Sequence, residues 1–337
     1  MSLSIKDIAR LSGVSTATVS RTLSAPEKVT RQTREQVMQV VEEHGYRVNS
    51  MARNLRRQRA DSVLALVPDL GNPFFSAIFA GIQDRLSQAG VDLLVADNRS
   101  LHPSGRSVLS QLRDARADGL ICLDGGFSDE ARRELAASGM ENRVVFACEW
   151  PMAGGFPSVR SDNREGMRLA IDYLAGLGHR CIAYCAGPAG NVLNIERRAG
   201  AQEALAAHGL TLPDSRVFEG DFSLQAGEKA AQVFVEMAER PTAVICASDQ
   251  LAMGLIHGLS KHGIHAPRDV SVMGFDDIIT SAYFLPALTT IRQNRLGLGV
   301  EAATVLLDLI DGKSVPRDHV VTLPVSLQIR ASTAVPR

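Results

Sequence analysis

Adjacent carboxylates can divide general-acid and general-base work, and Asp276–Asp277 form such a pair at the end of the apolar run VSVMGFDD (270–277). No nucleophile or metal partner accompanies them, so the better use of the pair is accepting hydrogen bonds from ligand hydroxyls. The eight histidines are scattered over helices and loops. His179, which follows Gly178, reads as a helix-end residue rather than a base. GxSxG, P-loop and GxGxxG signatures do not follow a first strand. Five cysteines (Cys122, Cys148, Cys181, Cys185, Cys246), odd in number and mostly in apolar runs, read as reduced buried thiols. Cys181 and Cys185 lie four apart with no further Cys or His cluster nearby, so no metal site is expected. A catalytic residue and a cofactor are not expected either.

Binding chemistry is better represented. Polar and aromatic residues follow several aliphatic runs: Asp69 to Phe75, Cys148 to Trp150, Asp221–Phe222, Ser248–Asp249 and Asp276–Asp277. Stacking aromatics, one arginine and several carboxylates at strand ends suit a polyhydroxylated ligand.

The elements that must position these groups begin at Ser62. Strands are expected at 63–69, 91–97, 119–124 and 143–148, then at 181–187, 217–222, 243–249 and 270–277, with amphipathic helices between. One helix starts from about Pro73, and another carries Arg197 near its start, after CIAYCAG. Near-continuous aliphatic strands separated by helices imply parallel sheets covered on both faces. Two such series, joined around Pro157 to Asn163, imply two α/β lobes.

Residues 5–45 follow a different rule. Ser4 can cap a first helix with Asp7 as its capping-box partner, and Ile5, Ile8, Ala9 and Leu11 are expected inward. Gly13 suits a left-handed turn, Ser15 caps a second helix from Thr16 to about Leu23, and Thr30 caps a third carrying Val37, Val40 and Val41. This is the helix-turn-helix layout. Val19 and Leu23 face the core, so Thr16, Ala17, Ser20 and Arg21 project outward, with Thr16 and Ala17 at the end that reaches base edges in such motifs. In the basic stretch 46–60, Asn49 can cap a short helix. Leu55 is an isolated apolar side chain among arginines, a wedge for the minor groove or a packing contact.

Charge separates the same two regions. Residues 1–60 hold eleven basic against five acidic side chains, a balance of +6, which leaves −7 on the rest of a chain whose net charge is −1. A basic head on an acidic body fits a polyanion at one end only. Over 337 residues, 45% hydrophobic and 22% charged content excludes disordered and disulfide-scaffold classes. Apolar runs fall short of the roughly 18–20 residues that span a bilayer, and MSLSIKDIAR has no apolar signal core, so a cytoplasmic protein without a membrane partner is expected.

IKDIARLSGVSTATVSRTLSAPEKVTRQTREQV, GYRVNSMARNL, NREGMRLAIDYLAGLGHR, ASDQLAMGL, VMGFDD and ALTTIRQ, in this order, resemble the lac/galactose-repressor (LacI/GalR) family of bacterial transcription regulators. The resemblance covers essentially the whole chain. STATVSR with VPDLGNPFFSAI is most similar to the cytidine-repressor branch.

The resemblance implies an all-α helix-turn-helix head and an α/β periplasmic-binding-protein-like body with two parallel-sheet lobes. Residues 1–46 would form the head, 47–60 a hinge helix, and 61–337 the effector-binding and dimerisation domain. Its N-lobe would take about 61–160 and 292–322, and its C-lobe about 161–291 and 323–337. Thr16, Ala17 and Arg21 would read the major groove and Leu55 the minor groove. Asn72, Phe74, Phe75, Cys148, Arg197, Phe222, Ser248, Asp276 and Gln293 would line the effector cleft.

Four positions depart from the family: Val48 stands where Pro is common just before the hinge helix, Cys148–Glu149 replace an Asp-Arg pair, and Ser248 replaces Asn. The first implies a freer entry to the hinge helix; the changes at 148–149 and 248 weaken a plain ribose site and leave room for a nucleoside or another pentose derivative. The expected function is a repressor, working as a homodimer on a pseudo-palindromic double-stranded DNA operator under control of a pentose or nucleoside. The alternative is a small-molecule receptor without DNA binding.

Overall fold

The computed structural model describes residues 3–46, 59–97, 117–126, 133, 135, 137 and 139–337. The chain divides into a compact unit of residues 1–60 and a second of residues 61–337.

In the first unit, α1 spans Ile5–Leu11, α2 Thr16–Ser24 and α3 Arg31–Glu43. The Asp7 carboxylate accepts from the Ser4 N–H at 2.9 Å and from its hydroxyl at 2.7 Å, fixing the start of α1. Ser15 caps α2 by accepting from the Thr18 N–H at 3.1 Å, and Thr30 caps α3 through the Thr33 N–H at 3.3 Å. Each cap satisfies an N–H that the helix itself leaves unpaired. Gly13, at φ +65°, makes the turn between α1 and α2. Gln36 on α3 donates to the Ser12 carbonyl at 2.9 Å and holds that turn down. Ile8, Ala9, Val19 and Val37 form the core. Leu11, expected inward, is 43% exposed. The buried place one turn after Ile8 goes to Ser12 instead, whose hydroxyl donates to the Ile8 carbonyl at 2.6 Å.

The second unit holds two six-stranded sheets. The first contains β1 (Ser62–Val67), β2 (Asp92–Asp97), β3 (Gly119–Cys122), β4 (Val144–Ala147), β5 (Ser158–Ser161) and β11 (Val320–Leu323), in the order β11-β5-β4-β3-β1-β2. The second contains β6 (Ile182–Cys185), β7 (Val217–Phe218), β8 (Ala243–Cys246), β9 (Ser271–Asp276), β10 (Thr289–Gln293) and β12 (Val325–Gln328), in the order β12-β10-β9-β8-β6-β7. Pairing is parallel except where β12 runs against β10. Strands β1, β3, β4, β6, β8 and β9 are buried along their whole length, because helices cover both faces.

Those helices are α4 (Phe75–Gln88), α5 (Asn163–Gly176), α6 (Val192–Ala207), α7 (Leu224–Glu236), α8 (Asp249–Ser260) and α9 (Arg295–Ile310). Two helix pairs cross at glycines. A Cβ on Gly81 of α4 would lie 2.2 Å from the Leu296 carbonyl oxygen of α9, and one on Gly254 of α8 would lie 2.0 Å from that of Leu224 in α7. The chain passes between the sheets at Asp162, Asn294 and Pro324, where consecutive elements change sheet.

Candidate functional site

On α2, Val19 and Thr22 are buried, Leu23 is half-buried, and Thr16, Ala17, Ser20 and Arg21 are all exposed. The Thr22 hydroxyl is spent on the Thr18 carbonyl at 2.9 Å, so the buried face has no polar group to offer a partner. Three hydroxyl or small side chains and one arginine therefore share the outward face of the second helix. Asn49 and Leu55 lie outside the described residues.

In the body, eight of the nine cleft residues chosen from sequence surround one cavity. Asn72, Phe74 and Phe75 reach it from the start of α4, Cys148 from the end of β4, Arg197 from α6, Phe222 from the loop after β7, Ser248 from the start of α8 and Asp276 from the end of β9. Gln293 does not line it; buried behind, it donates to Asp276 Oδ1 at 2.7 Å.

The loops that carry these groups are fixed locally. Asn72 Oδ1 accepts from the Phe74 N–H at 2.9 Å, and the Phe74 and Phe75 rings meet edge to face at 5.1 Å. Cys148 has φ +69°, and the Glu149 N–H donates back to the Ala147 carbonyl at 2.9 Å, a tight turn that brings Glu149 to the cavity wall. Ser248 caps α8 through the Leu251 N–H at 3.2 Å. Phe222 packs its ring over Gly187, where a Cβ would lie 2.4 Å from it.

Arg197 is 2% exposed. Its guanidinium stacks over the Phe275 ring at 3.9 Å, Nε donates to Asn163 Oδ1 at 2.8 Å, and Nη1 donates to the Ala247 carbonyl. Asp276 Oδ1 stands 3.8 Å from Nη1, an ion contact too long for a hydrogen bond. Nη2 has no partner among the described residues. A buried donor left in that state costs about 1–3 kcal/mol, and a ligand acceptor would remove that cost. Burial raises the Asp276 carboxyl above its ordinary range, against the pull of the Arg197 and Arg295 charges.

The structure separates carboxylates that look alike in sequence. Asp276 (φ +128°) faces the cavity, whereas Asp277 (φ +54°) turns to ion pairs with Arg292 and Arg330, each at 2.6 Å. Asp249 is wholly buried and accepts from the Ile278 N–H at 2.8 Å, the Ser281 hydroxyl at 2.6 Å and the Thr290 hydroxyl. Gly274 makes room for it, since a Cβ there would lie 2.2 Å from Asp249 Oδ1. Burial, then the Asp276 charge, pushes the Asp249 carboxyl up. Asp221 caps its own loop through the Ser223 N–H at 2.8 Å.

Two lining residues were not chosen from sequence, Glu149 and Leu193. Leu193 precedes Arg197 by four positions, the spacing that puts both on one helix face, and that signal was available. His179 proves to be an anchor: buried, it bonds the Thr242 hydroxyl at 2.8 Å, the Ser271 hydroxyl at 3.1 Å and the Ala334 carbonyl at 2.9 Å. Among the described residues no group of three His, Cys, Asp or Glu is placed to hold a metal, and no helix is long and apolar enough to cross a membrane.

A helix-turn-helix unit followed by two parallel-sheet lobes around a polar cavity is the build of a DNA-binding regulator whose body takes a small molecule. Residues 4–49 match the lacI family of bacterial regulatory proteins, and residues 171–333 match the periplasmic binding protein-like domain. The transcriptional repressor CytR of Escherichia coli is 35% identical over 315 residues, covering 92% of this chain and 91% of the relative. The structure of a Lac repressor dimer bound to operator and the anti-inducer ONPF superposes with a TM-score of 0.86 at 29% identity, over 99% of this chain and 100% of that one. A LacI-family regulator from Enterococcus faecium with bound ribose gives a TM-score of 0.73 at 30% identity, over 82% of this chain and 100% of that one. The chain belongs to the lacI family of bacterial regulatory proteins.

Proposed function

We propose that this chain is a cytoplasmic transcriptional repressor whose hold on a pseudo-palindromic operator changes when a pentose or nucleoside occupies the cavity of its body. The observation that carries the effector half is the buried Arg197, with Nη2 unpartnered and Nη1 facing Asp276, in a cavity that also presents Phe74, Phe75 and Phe222. An arginine donor, a carboxylate acceptor and stacking rings are groups that grip a polyol. The ribose-bound relative favours the same ligand class.

In this reading Thr16, Ala17, Ser20 and Arg21 read the major groove, Asn49 caps a hinge helix within 47–60, and Leu55 enters the minor groove. The helix-turn-helix head spans 1–46 and the effector domain 61–337, and no catalysis is assigned to either. Asn72, Cys148 and Ser248 complete the polar wall, and Gln293 orients Asp276.

The working unit is a homodimer, so that two heads read two half-sites. Ile279, Tyr283 and Leu285 are 74%, 83% and 88% exposed on the segment after β9, an apolar surface that a second copy would cover. The test is fluorescence anisotropy on operators selected from a random DNA pool, with and without hits from a thermal-shift screen of pentoses and nucleosides. A hit at about 100 times its dissociation constant should add roughly 2.7 kcal/mol of stability. Absence of any sequence-selective DNA binding would leave only the receptor alternative.

A further inference from the structure

Beside the effector cavity lies an open chamber of about 500 Å3, walled by Asp124–Gly126, Glu149, Trp150 and Met152 from one lobe and by Gly190–Val192 from the other. The two spaces share Glu149 as a common wall. Glu149 is 6% exposed, and its Oε2 accepts from the Gly125 N–H at 3.0 Å. That approach needs a glycine: a Cβ on Gly125 would lie 2.9 Å from the Trp150 carbonyl oxygen and 3.2 Å from Glu149 Cβ. On the opposite lobe Asn191 caps α6, its Oδ1 accepting from the Leu193 N–H at 2.9 Å. Its side chain lies close enough to Glu149 to favour the ionised carboxylate, though burial still holds the group above its ordinary range.

A carboxyl group has about four acceptor positions, and the Gly125 N–H and the Asn191 side chain occupy two of them. Glu149 therefore stands between two spaces with acceptor capacity to spare. Trp150, Met152 and Val192 give the outer space large apolar walls, and the Trp150 ring is already held by the Arg160 guanidinium 4.0 Å from its centroid. Such a space suits a flat ring carrying N–H groups. A free pentose against Arg197 and Asp276 has no part that needs it.

We propose that this chamber takes the heterocyclic base of a nucleoside whose ribose lies in the cavity, with Glu149 accepting from an N–H or amino group of the base. The proposal rests on the reading of that cavity as the effector site. It makes the effector a nucleoside and not a free pentose.

Trp150 is the single tryptophan of the chain, so its fluorescence reports the chamber directly. Full-length protein is titrated with ribose, cytidine, adenosine and uridine, by calorimetry and by Trp150 emission. At least one nucleoside is expected to bind at least about tenfold more tightly than ribose and to change the emission, with ribose leaving it unchanged. Glu149→Gln should weaken nucleoside binding by about tenfold and ribose binding by clearly less, since Glu149 lines both spaces but only the base donates to it. Because a buried substitution can disturb folding, Met152→Trp serves as a second variant: at a 69% exposed position it fills the chamber and should exclude nucleosides while sparing ribose. Equal wild-type affinities for ribose and the nucleosides, or variants that weaken both alike, would overturn the chamber assignment and leave the cavity reading standing. Failure of wild-type protein to bind any of the four probes would overturn both.

Discussion

Replacing Asp276 with asparagine removes one charge from the cavity and almost no volume. The wild-type carboxylate is 6% exposed, receives a hydrogen bond from Gln293 and faces Arg197 at 3.8 Å, so a bound hydroxyl donating to it does so out of water. Charge-assisted hydrogen bonds in such places contribute about 1.5–3 kcal/mol, which converts to a loss of roughly 10- to 100-fold in effector affinity. The variant keeps its fold, because Arg197 retains Asn163, the Ala247 carbonyl and the Phe275 ring.

Protonation should imitate the substitution. The Asp276 carboxyl is raised to about 6, so at about pH 5 only about one molecule in ten carries the charge, and wild-type affinity should fall about tenfold from its value at about pH 7.5. The stability effect runs the other way. A folded value above the unfolded one of about 3.9 means that stability present at low pH is lost as pH rises through about 6, and Asp276→Asn removes that contribution. Calorimetry with the best screening hit, at both pH values and on both proteins, checks the chain of reasoning. An Asp276→Asn protein with wild-type affinity, or a wild-type affinity flat across that range, would refute it.

Four further outcomes are expected. Arg21→Ala should lose about 1–3 kcal/mol of discrimination at one base position per half-site, read as a flattened preference at that position in a selection experiment; an unchanged ratio contradicts base contact. Leu55→Ala should lower operator affinity at matched salt while effector affinity stays the same, and an unchanged operator dissociation constant removes Leu55 from the interface. Tyr283→Asp should shift sedimentation from dimer to monomer, because it buries a charge in the proposed apolar contact; a variant that remains dimeric places the contact elsewhere. Burial holds His179 below its ordinary value, so the stability it supplies is present above about pH 6.5 and lost as pH falls through the folded value. Hydrogen-exchange protection factors around Ala334, corrected for the intrinsic rate at each pH, should therefore fall in acid, and should show no such pH step in His179→Phe.

What the sequence made legible follows burial. Strands β1, β3, β4, β6, β8 and β9 are aliphatic along their length because both faces are covered, and they stood out. Strands β5 (SVRS), β10 (TTIRQ), β11 (VVTL) and β12 (VSLQ) did not, because polar and apolar residues alternate or mix in them. The expected strand at 217–222 shrinks to Val217–Phe218, and β8 stops at Cys246 rather than at 249. In both places the remainder becomes the loop that delivers Phe222 or Ser248 to the cavity. Residue type located the carboxylates at the strand ends, but their roles depend on partners supplied by distant segments. Asp277 is fixed by Arg292 and Arg330, and Asp249 by Ser281 and Thr290, contacts that no local pattern encodes.

Arg295 shows how occupancy of the cavity can act on the two lobes together. It is the first residue of α9, immediately after the chain has left the second sheet at Gln293. Its guanidinium donates to the Phe74 carbonyl at 3.3 Å and to the Asp277 carbonyl at 2.8 Å, and so joins the α4 turn of one lobe to the loop after β9 of the other. Phe74 and Asp276, the neighbours of those carbonyls or their owners, are cavity residues. Cys148, Asp276 and Asp277 all hold positive φ without being glycine, conformations that cost about 1–3 kcal/mol each and persist only where the surroundings enforce them. A ligand that bonds Asp276 and stacks on Phe74 therefore loads the same two loops that Arg295 ties, at positions where the backbone is already strained.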